Sequence, residues 1–367
     1  MRAILRAVAF PLVAFVLAEV VLSLAAALCS QDPRRPATFI RWDSVRYLSI
    51  ATQGYFIEEE NGHVVDGNVA WFPGYPVAIK ALHVLGVQAP RAGRFVSAAA
   101  ALALLLVIWN LLLLEADPDK KPALLLLAAF FPGFVYYHAV FPTSLTATFL
   151  LCGLALAARG RFLGAGVCGA LTAFTYSTGV LALPGLAVAA LVYPGLAWPR
   201  RLLALLEGAG LTAAGFLGAL AYEHRSVAWN AFSRMQSDYY GSGLHEPLGN
   251  LAWRTRHIWT REFQPELVIE AQTLVVALMA IAAGVTAWVN RRRLDRLDLL
   301  LLVSGLAFWA APHVVSRNVS VYRSEALLVG LVAPLRRLPR EVLLAVLVVL
   351  VALGFGMALL FFESILV

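Results

Sequence analysis

The sequence predicts an all-α polytopic membrane protein with about eleven transmembrane helices. Three observations carry that expectation. Of 367 residues, 60% are hydrophobic and 14% are charged, against roughly a quarter charged in soluble domains. The deficit runs along the whole chain, and several stretches reach the ~20 mostly apolar residues a helix needs to cross a bilayer. The apolar runs are continuous and rich in Leu and Ala, not short and alternating, which excludes an outer-membrane barrel.

The spans are expected at 7–29, 92–114, 123–141, 143–158, 162–178, 180–197, 202–222, 267–290, 297–315, 324–336 and 341–362. The start, MRAILRAV and an apolar run to Leu28, resembles a signal peptide, but Leu28 is too large to precede a lipidated Cys29, so a retained first helix is the better reading. Charge fixes the topology. Arg2 and Arg6 hold the N-terminus inside; counting spans then puts Lys120/Lys121, Arg159/Arg161, Arg200/Arg201, Arg291 to Arg293 and Arg336/Arg337/Arg340 on the same side. The chain therefore reads as one membrane domain over 1–367, with two long outer loops, 30–91 and 223–266, and the C-terminus outside. The segments within 123–197 and 324–336 are the shortest of the set.

The net charge of +7 does not point to nucleic acid, because the basic residues sit at helix ends. Cys29, Cys152 and Cys168 lie in or beside apolar segments without metal-ligand spacing, so neither a disulfide nor a metal is expected from them. The composition, rich in Ala, Leu and Arg, fits a bacterial plasma membrane; a eukaryotic host would place the protein in the endoplasmic reticulum with the outer loops in the lumen.

The first outer loop carries the most informative segment, RWDSVRYLSIATQGYF at 41–56. Asp43 and Ser44 are good helix N-caps and Gly54 suits a helix C-terminus. The spacing predicts a short amphipathic helix over 43–52 at the membrane surface, with Trp42, Val45, Leu48 and Ser49 on one face. A polar stretch, EEENGHVVDGN, follows, then NVAWFPGYPVAIKAL, whose Pro-Gly-aromatic run reads as a rigid turn into another apolar segment. Local rules leave Asp43 open between a helix cap and a general base acting on an acceptor hydroxyl beside the membrane.

The pattern RWDSVRYLSIATQGYF…NVAWFPGYPVAIKAL resembles the signature of the PIG-V type of GPI mannosyltransferase and its bacterial relatives, in the GT-C class of polytopic glycosyltransferases. The matching positions are Trp42, Asp43, Tyr47, Ile50, Ala51, Gly54, Tyr55, Phe72, Pro73 and Pro76, with Trp71 in place of a family Phe. Weaker similarity continues through 130–156, TYSTGVLALP, WNAFSRMQSDYYGSGLHEPLGNL and SVYRSEALLVGLVAPL. At Phe141-Pro142-Thr143-Ser144-Leu145 the family's acidic residue is missing, and Tyr176 stands where the family has Arg.

The resemblance implies a GT-C-like bundle and transfer of a sugar, mannose above all, from a polyprenyl-phosphate donor to a glycan or glycolipid acceptor outside the membrane. It implies a single inverting displacement with Asp43 as base. The leaving group is a lipid phosphate, for which Arg is the best partner. Arg41, Arg46, Arg234, Arg254, Arg256, Arg317 and Arg323 are the outer cations, and Arg323, then Arg317, occupy the place of the family's late basic residue. The alternative for each is anchoring at lipid head groups. The expected substrate-binding set is Arg41, Trp42, Tyr47, Phe72, Tyr75, His138, Gln236, Arg317 and Arg323. Among the histidines near the outer face, His63, His138, His245 and His313, none has a motif partner, and His138 is singled out for its nearness to Phe141–Ser144. No cofactor is expected, although a divalent metal is not excluded. Asp117-Pro118-Asp119 copies the metal-binding D-x-D of soluble glycosyltransferases, but it falls inside on a short loop and reads as a turn. Asn318-Val319-Ser320 fits a glycosylation acceptor only in a eukaryotic host. A transporter or flippase for lipid-linked glycans, or a non-catalytic lipid-binding protein of the same fold, are the competing classes; few charges fall mid-span, which favours surface chemistry over transport.

Overall fold

The structure is a computed structural model that describes residues 2–241, 243–244, 246–260, 264–265, 267–315 and 320–366. Arg317, His245 and most of the Asn318-Val319-Ser320 triplet lie outside the described residues. Six described helices are long and apolar enough to cross a membrane: Ala7–Leu28, Ala89–Leu112, Trp198–Glu223, Leu267–Val289, Arg296–Val315 and Arg340–Phe362. Three shorter apolar helices, Thr143–Ala158, Phe162–Thr175 and Ser177–Val192, fall where short spans were expected. The chain is an integral membrane protein.

Two expected spans are not continuous α-helices. The segment 123–141 is a helix over Lys121–Ala129, a break at Pro132-Gly133, and a single turn over Val135–His138. Gly133 takes a φ of +80°, and a Cβ there would meet the Tyr322 carbonyl at 2.8 Å. The segment 324–336 is 3₁₀-helical over Glu325–Val332 and Pro334–Arg337, and the residues from Val321 to Leu335 are buried on every side. At ~2.0 Å per residue in place of ~1.5 Å, thirteen residues reach about 26 Å instead of about 20 Å. Irregular backbone survives at membrane depth only when protein surrounds it. Gln272 supplies that surrounding here: its Oε1 accepts from Gly133 N at 3.0 Å, and its Nε2 donates to Tyr322 O at 3.1 Å and Glu325 Oε2 at 2.8 Å.

Charged ties hold the two ends of the bundle. At the end expected to face inside, the fully buried Asp298 takes Arg336 and Arg337 at 2.5 Å each, and Arg336 also pairs with Asp295. Part of the basic cluster is therefore neutralised within the fold. Glu19, within the first long helix, pairs with Arg94 at 2.5 Å and His138 at 2.7 Å. Arg94 also covers the Phe39 ring at 4.1 Å, which ties the start of the first outer loop to the bundle. The Asp117-Pro118-Asp119 run forms a turn, with Asp119 N donating to Asp117 Oδ1 at 3.1 Å.

The first outer loop is richer than the sequence reading. The short helix runs Ser44–Thr52 and ends at Gly54, whose φ is +95°. The face it buries in the protein is Ser44, Tyr47, Ile50 and Ala51, while the face shared by Trp42, Val45, Leu48 and Ser49 is less covered, with Val45 54% exposed. The helix packs onto the neighbouring helix Gly74–His83, with the Tyr47 and Tyr75 rings edge to face at 5.5 Å, and leaves its Val45 side out. The polar stretch is an antiparallel hairpin, Ile57–Glu60 with His63–Gly67, turning at Asn61-Gly62. Both turn residues have positive φ, the geometry that Asn-Gly supplies in two-residue hairpins. The protein is thus helical with one small hairpin.

Candidate active site

The two long loops and the ends of three inner elements enclose a cleft of about 600 Å³. Its floor and one wall come from Trp42, Asp43, Arg46 and Tyr47 of the first loop, with Arg323 and Ser324 from the late 3₁₀ region. Trp71, Tyr176, Ser177, Thr178, Gln236, Tyr239, Tyr240 and Ser320 supply the rest of the polar and aromatic lining.

Trp42 occupies the left-handed region at φ +42°, a costly conformation for a bulky residue that persists only where the surroundings impose it. Several contacts impose it. Arg41 N donates to Ser44 Oγ at 3.1 Å, and the Arg41 guanidinium donates to Ile40 O at 2.8 Å and Phe362 O at 3.3 Å. The Trp42 ring rests edge-on against Phe361, centroids 5.6 Å apart. The strained residue delivers Asp43 to the N-cap position of the helix. Asp43 makes no side-chain capping bond there. Its carboxylate instead takes a charge-assisted hydrogen bond from Arg323.

Arg323 is nearly buried, at 9% side-chain exposure, and sits among the rings of Trp42, Tyr136, Phe141 and Tyr322 at 5.5–5.9 Å. Its Nε has no partner among the described residues. Arg46, one turn beyond Asp43, bonds Asp66 of the hairpin at 2.5 Å and stacks over Trp71 at 5.7 Å. Burial pushes the Asp66 carboxyl up, but the Arg46 hydrogen bond, the Gly67 N–H and the Arg46 charge outweigh it and hold the group below the usual carboxylate range. Burial, joined by the charges of Tyr176 and Asp43, pushes the Tyr47 hydroxyl well up, so it stays a neutral group on the cleft wall.

Of the sequence-expected residues, the structure brings Trp42, Asp43, Tyr47, Gln236 and Arg323 together in the cleft. Arg41 adjoins it as a backbone staple. Phe72 lies elsewhere, fully buried against Phe216 and Phe232 at 5.3 and 5.4 Å. Tyr75 is also buried, bonded to Gly93 O at 2.9 Å and Ser97 Oγ at 2.7 Å. His138 belongs to the Glu19–Arg94 cluster. These three hold the scaffold that carries the first loop, because aromatic and polar groups in a motif serve packing as readily as contact. Ser144 is bonded to Ser97 O at 3.0 Å, away from the cleft, while its neighbour Phe141 forms part of the Arg323 cage. His313 is buried in the helix Arg296–Val315 with its ring 5.1 Å from Trp309.

Sequence reasoning did not single out Trp71, Tyr176, Tyr239 and Tyr240 as lining residues. Trp71 and Tyr176 were visible as departures from the family pattern, and Tyr239-Tyr240 stood in the loop that carries Gln236. No group of three or more His, Cys, Asp or Glu side chains with metal-holding geometry occurs among the described residues.

No protein family matches the chain, and no curated protein matches it. Solved structures do. The chain is similar to ArnT from Cupriavidus metallidurans bound to undecaprenyl phosphate, with a TM-score of 0.55, 16% identity, and coverage of 89% of this chain and 60% of that one. It is similar to the same protein in the apo state, with a TM-score of 0.53, 19% identity, and coverage of 87% and 60%. The fold is that of these ArnT structures, and the expected GT-C-like helical bundle is borne out as an architecture. At such identities the likeness is one of architecture, and this chain spans 60% of the length of the ArnT chains.

Proposed function

We propose that the protein is a membrane glycosyltransferase that moves a single sugar from a polyprenyl-phosphate donor to an acceptor hydroxyl on the outer side of the membrane. The resemblance over 41–76 makes mannose the first sugar to test. The observation that carries the reading is the orientation of Asp43: it stands at a helix N-terminus yet turns its carboxylate away from the cap and into a cleft, onto a caged arginine.

In the displacement, the acceptor oxygen attacks the anomeric carbon and forms the new glycosidic bond. The bond from that carbon to the phosphate oxygen breaks, and the lipid phosphate leaves with the electron pair. Asp43 takes the hydroxyl proton. Arg323 fixes the direction of the Asp43 carboxylate, and its guanidinium, which lines the cleft, supplies positive charge for the departing phosphate. Arg46 is the second cation of the cleft and presents a half-buried guanidinium beside the membrane surface. The fold shared with ArnT, crystallised with undecaprenyl phosphate, supports a polyprenyl-phosphate partner. The Glu19–Arg94–His138 cluster is what a transport reading would invoke, but its groups are satisfied by one another and lie outside the cleft.

The test is transfer in reconstituted vesicles carrying polyprenyl-phosphate mannose with labelled mannose and a membrane glycolipid extract. Label moving onto glycolipid supports the reading; label retained on polyprenyl phosphate with every extract, or moved across the bilayer unchanged, overturns it. The outer location is checked by an impermeant thiol reagent on intact cells, which is expected to label His63→Cys and to spare Asp119→Cys.

A further inference from the structure

We infer that Trp71, Gln236 and Tyr240 form a recognition wall for one uncharged sugar ring, and that a latch between the two long outer loops holds this wall in register. The inference rests on the reading of the cleft as a glycosyl-transfer site and names what that site accepts.

Charge argues for a neutral ring. Among the described lining residues Asp43 is the one carboxylate, and it is engaged by Arg323; Arg46 is engaged by Asp66. An ammonium on the sugar would compete with Arg323 for Asp43. A carboxylate on the sugar would have to displace Asp66 from Arg46. A neutral pyranose asks for neither. What it asks for is an aromatic face for its C–H side and short polar groups for its hydroxyls. The Trp71 and Tyr240 rings meet at 6.4 Å and 66°, forming a corner at the cleft, and Gln236, Ser177 and Thr178 supply amide and hydroxyl groups beside it. Size argues for one ring or two: about 600 Å³ is mid-range for small-molecule sites and leaves no room for an extended oligosaccharide with its lipid phosphate.

The wall is built with unusual care. Met235–Tyr239 is a π-helical turn, closed by Tyr240 N donating to Met235 O at 3.3 Å. Such turns re-aim side chains and concentrate at functional sites. This one is pinned two residues to either side of Gln236. Arg234 donates to Glu59 Oε1 at 2.6 Å and to Gly62 O at 2.9 Å, both on the hairpin. Asp238 accepts from Val64 N of the same hairpin at 3.4 Å. Farther on, Gly243 N donates to Val315 O at 2.9 Å, beside a residue of the cleft. The hairpin therefore has a purpose that neither Asp43 nor Arg323 requires: it fixes where Gln236 and Tyr240 stand. Glu59 and Arg234 are positioning residues.

The experiment compares equilibrium binding of undecaprenyl phosphate and undecaprenyl-phosphate mannose to the full chain in detergent, alongside transfer. The sugar-bearing lipid is expected to bind about tenfold or more tightly than the sugar-free lipid, the scale of one or two good polar or stacking contacts. Gln236→Ala and Tyr240→Ala are each expected to erase most of that margin while leaving the affinity for undecaprenyl phosphate within about twofold and the thermal unfolding midpoint in place. Glu59→Gln is expected to narrow the margin, and Arg234→Lys to preserve more of it than Arg234→Ala. A wild-type protein that binds the two lipids equally, or variants that retain the full margin, overturn the inference. The two readings part cleanly. A sugar-dependent margin without transfer sinks the transferase and leaves the wall standing. Transfer with an unaltered margin in both variants does the reverse.

Discussion

Replacing Asp43 by Asn separates three roles that one carboxylate can play at this position. As a helix cap, Asn serves as well as Asp, and no capping bond exists to lose; a cap role therefore predicts an unchanged protein. As a structural counter-ion, the loss is graded by burial. Arg323 is 9% exposed and Asp43 28% exposed, so the pair is neither fully buried nor free. The amide keeps an oxygen that accepts from Arg323, so the cost lies below the 3–5 kcal/mol of a stranded buried charge, at about 1–3 kcal/mol. As a general base, Asn fails outright: the expected loss is about 10²–10⁴-fold in transfer rate, or roughly 3–5 kcal/mol of barrier. The assay pairs thermal unfolding in detergent with initial rates of mannose transfer at saturating donor. The expected result is a modest loss of stability with a loss of rate near a thousandfold. Asp43→Glu is expected to recover stability more than rate, because the charge returns but the carboxylate is displaced by a methylene. The double variant with Arg323→Gln is expected to regain stability relative to Asp43→Asn, which isolates the counter-ion contribution from the loss of rate. A rate for Asp43→Asn within about fivefold of the parent refutes the assignment.

Three further outcomes follow from the geometry. Gly74→Ala places a Cβ 2.5 Å from Thr175 Oγ1 and 2.7 Å from Thr175 Cα, so two backbones must part; a loss of about 1–3 kcal/mol in unfolding is expected, together with weakened donor binding, because Tyr176 of the cleft adjoins Thr175. Arg336→Ala strips the fully buried Asp298 of one of its two guanidinium partners and is expected to cost about 3 kcal/mol in detergent unfolding, whereas Arg340→Ala is expected to be neutral. The hairpin tie is pH-dependent: Asp66 has a depressed carboxyl, so its contribution is complete above the ordinary carboxylate value of about 4 and fades as pH falls through the lower folded value. Both partners are partly exposed, which keeps the effect below about 1 kcal/mol; Trp71 fluorescence is expected to be flat from about pH 7 to 5 and to change below about 4, with Asp66→Asn abolishing the step.

The first loop was legible because its signals are local. Asp43-Ser44 opens a helix and Gly54 closes it, and the motif residues that lead to the cleft lie within thirty-five positions of one another. The stripe that packs inside the protein was not legible for a physical reason: periodicity identifies apolar stripes but not which of two finds a protein partner, and Tyr47 found one in the helix Gly74–His83. The hairpin's one local signal was Asn61-Gly62, and the run of glutamates before it made the segment read as a plain polar stretch. On the second loop Gln236 was expected in the site, whereas Tyr239 and Tyr240 were not. Gln236 and Tyr240 reach the cleft only through ties to residues some 170 positions earlier, Glu59, Gly62 and Val64, and no spacing rule spans such a distance.

Two of the segments expected as short spans, 123–141 and 324–336, surround the Asp43–Arg323 pair. Helices that cross a bilayer unbroken satisfy their own backbone and offer a site only side chains. A broken one exposes backbone groups that neighbours must meet, and it brings chain elements closer than helix radii allow. Here the break at Pro132-Gly133 lets the chain approach Tyr322 to the point where a Cβ would collide. Gln272 then closes the open groups of both segments at once. That approach sets Tyr136 and Phe141 from one broken segment and Tyr322 from the other around Arg323. An arginine caged in this way is pre-oriented before any ligand arrives, so the cost of ordering it is met in folding and not in binding. The cage aims Arg323 at Asp43, and the strained Trp42 aims Asp43 back. Short, Pro-Gly-interrupted apolar segments in a chain of this kind therefore mark where to look for the site, as discontinuous helices do in other membrane proteins.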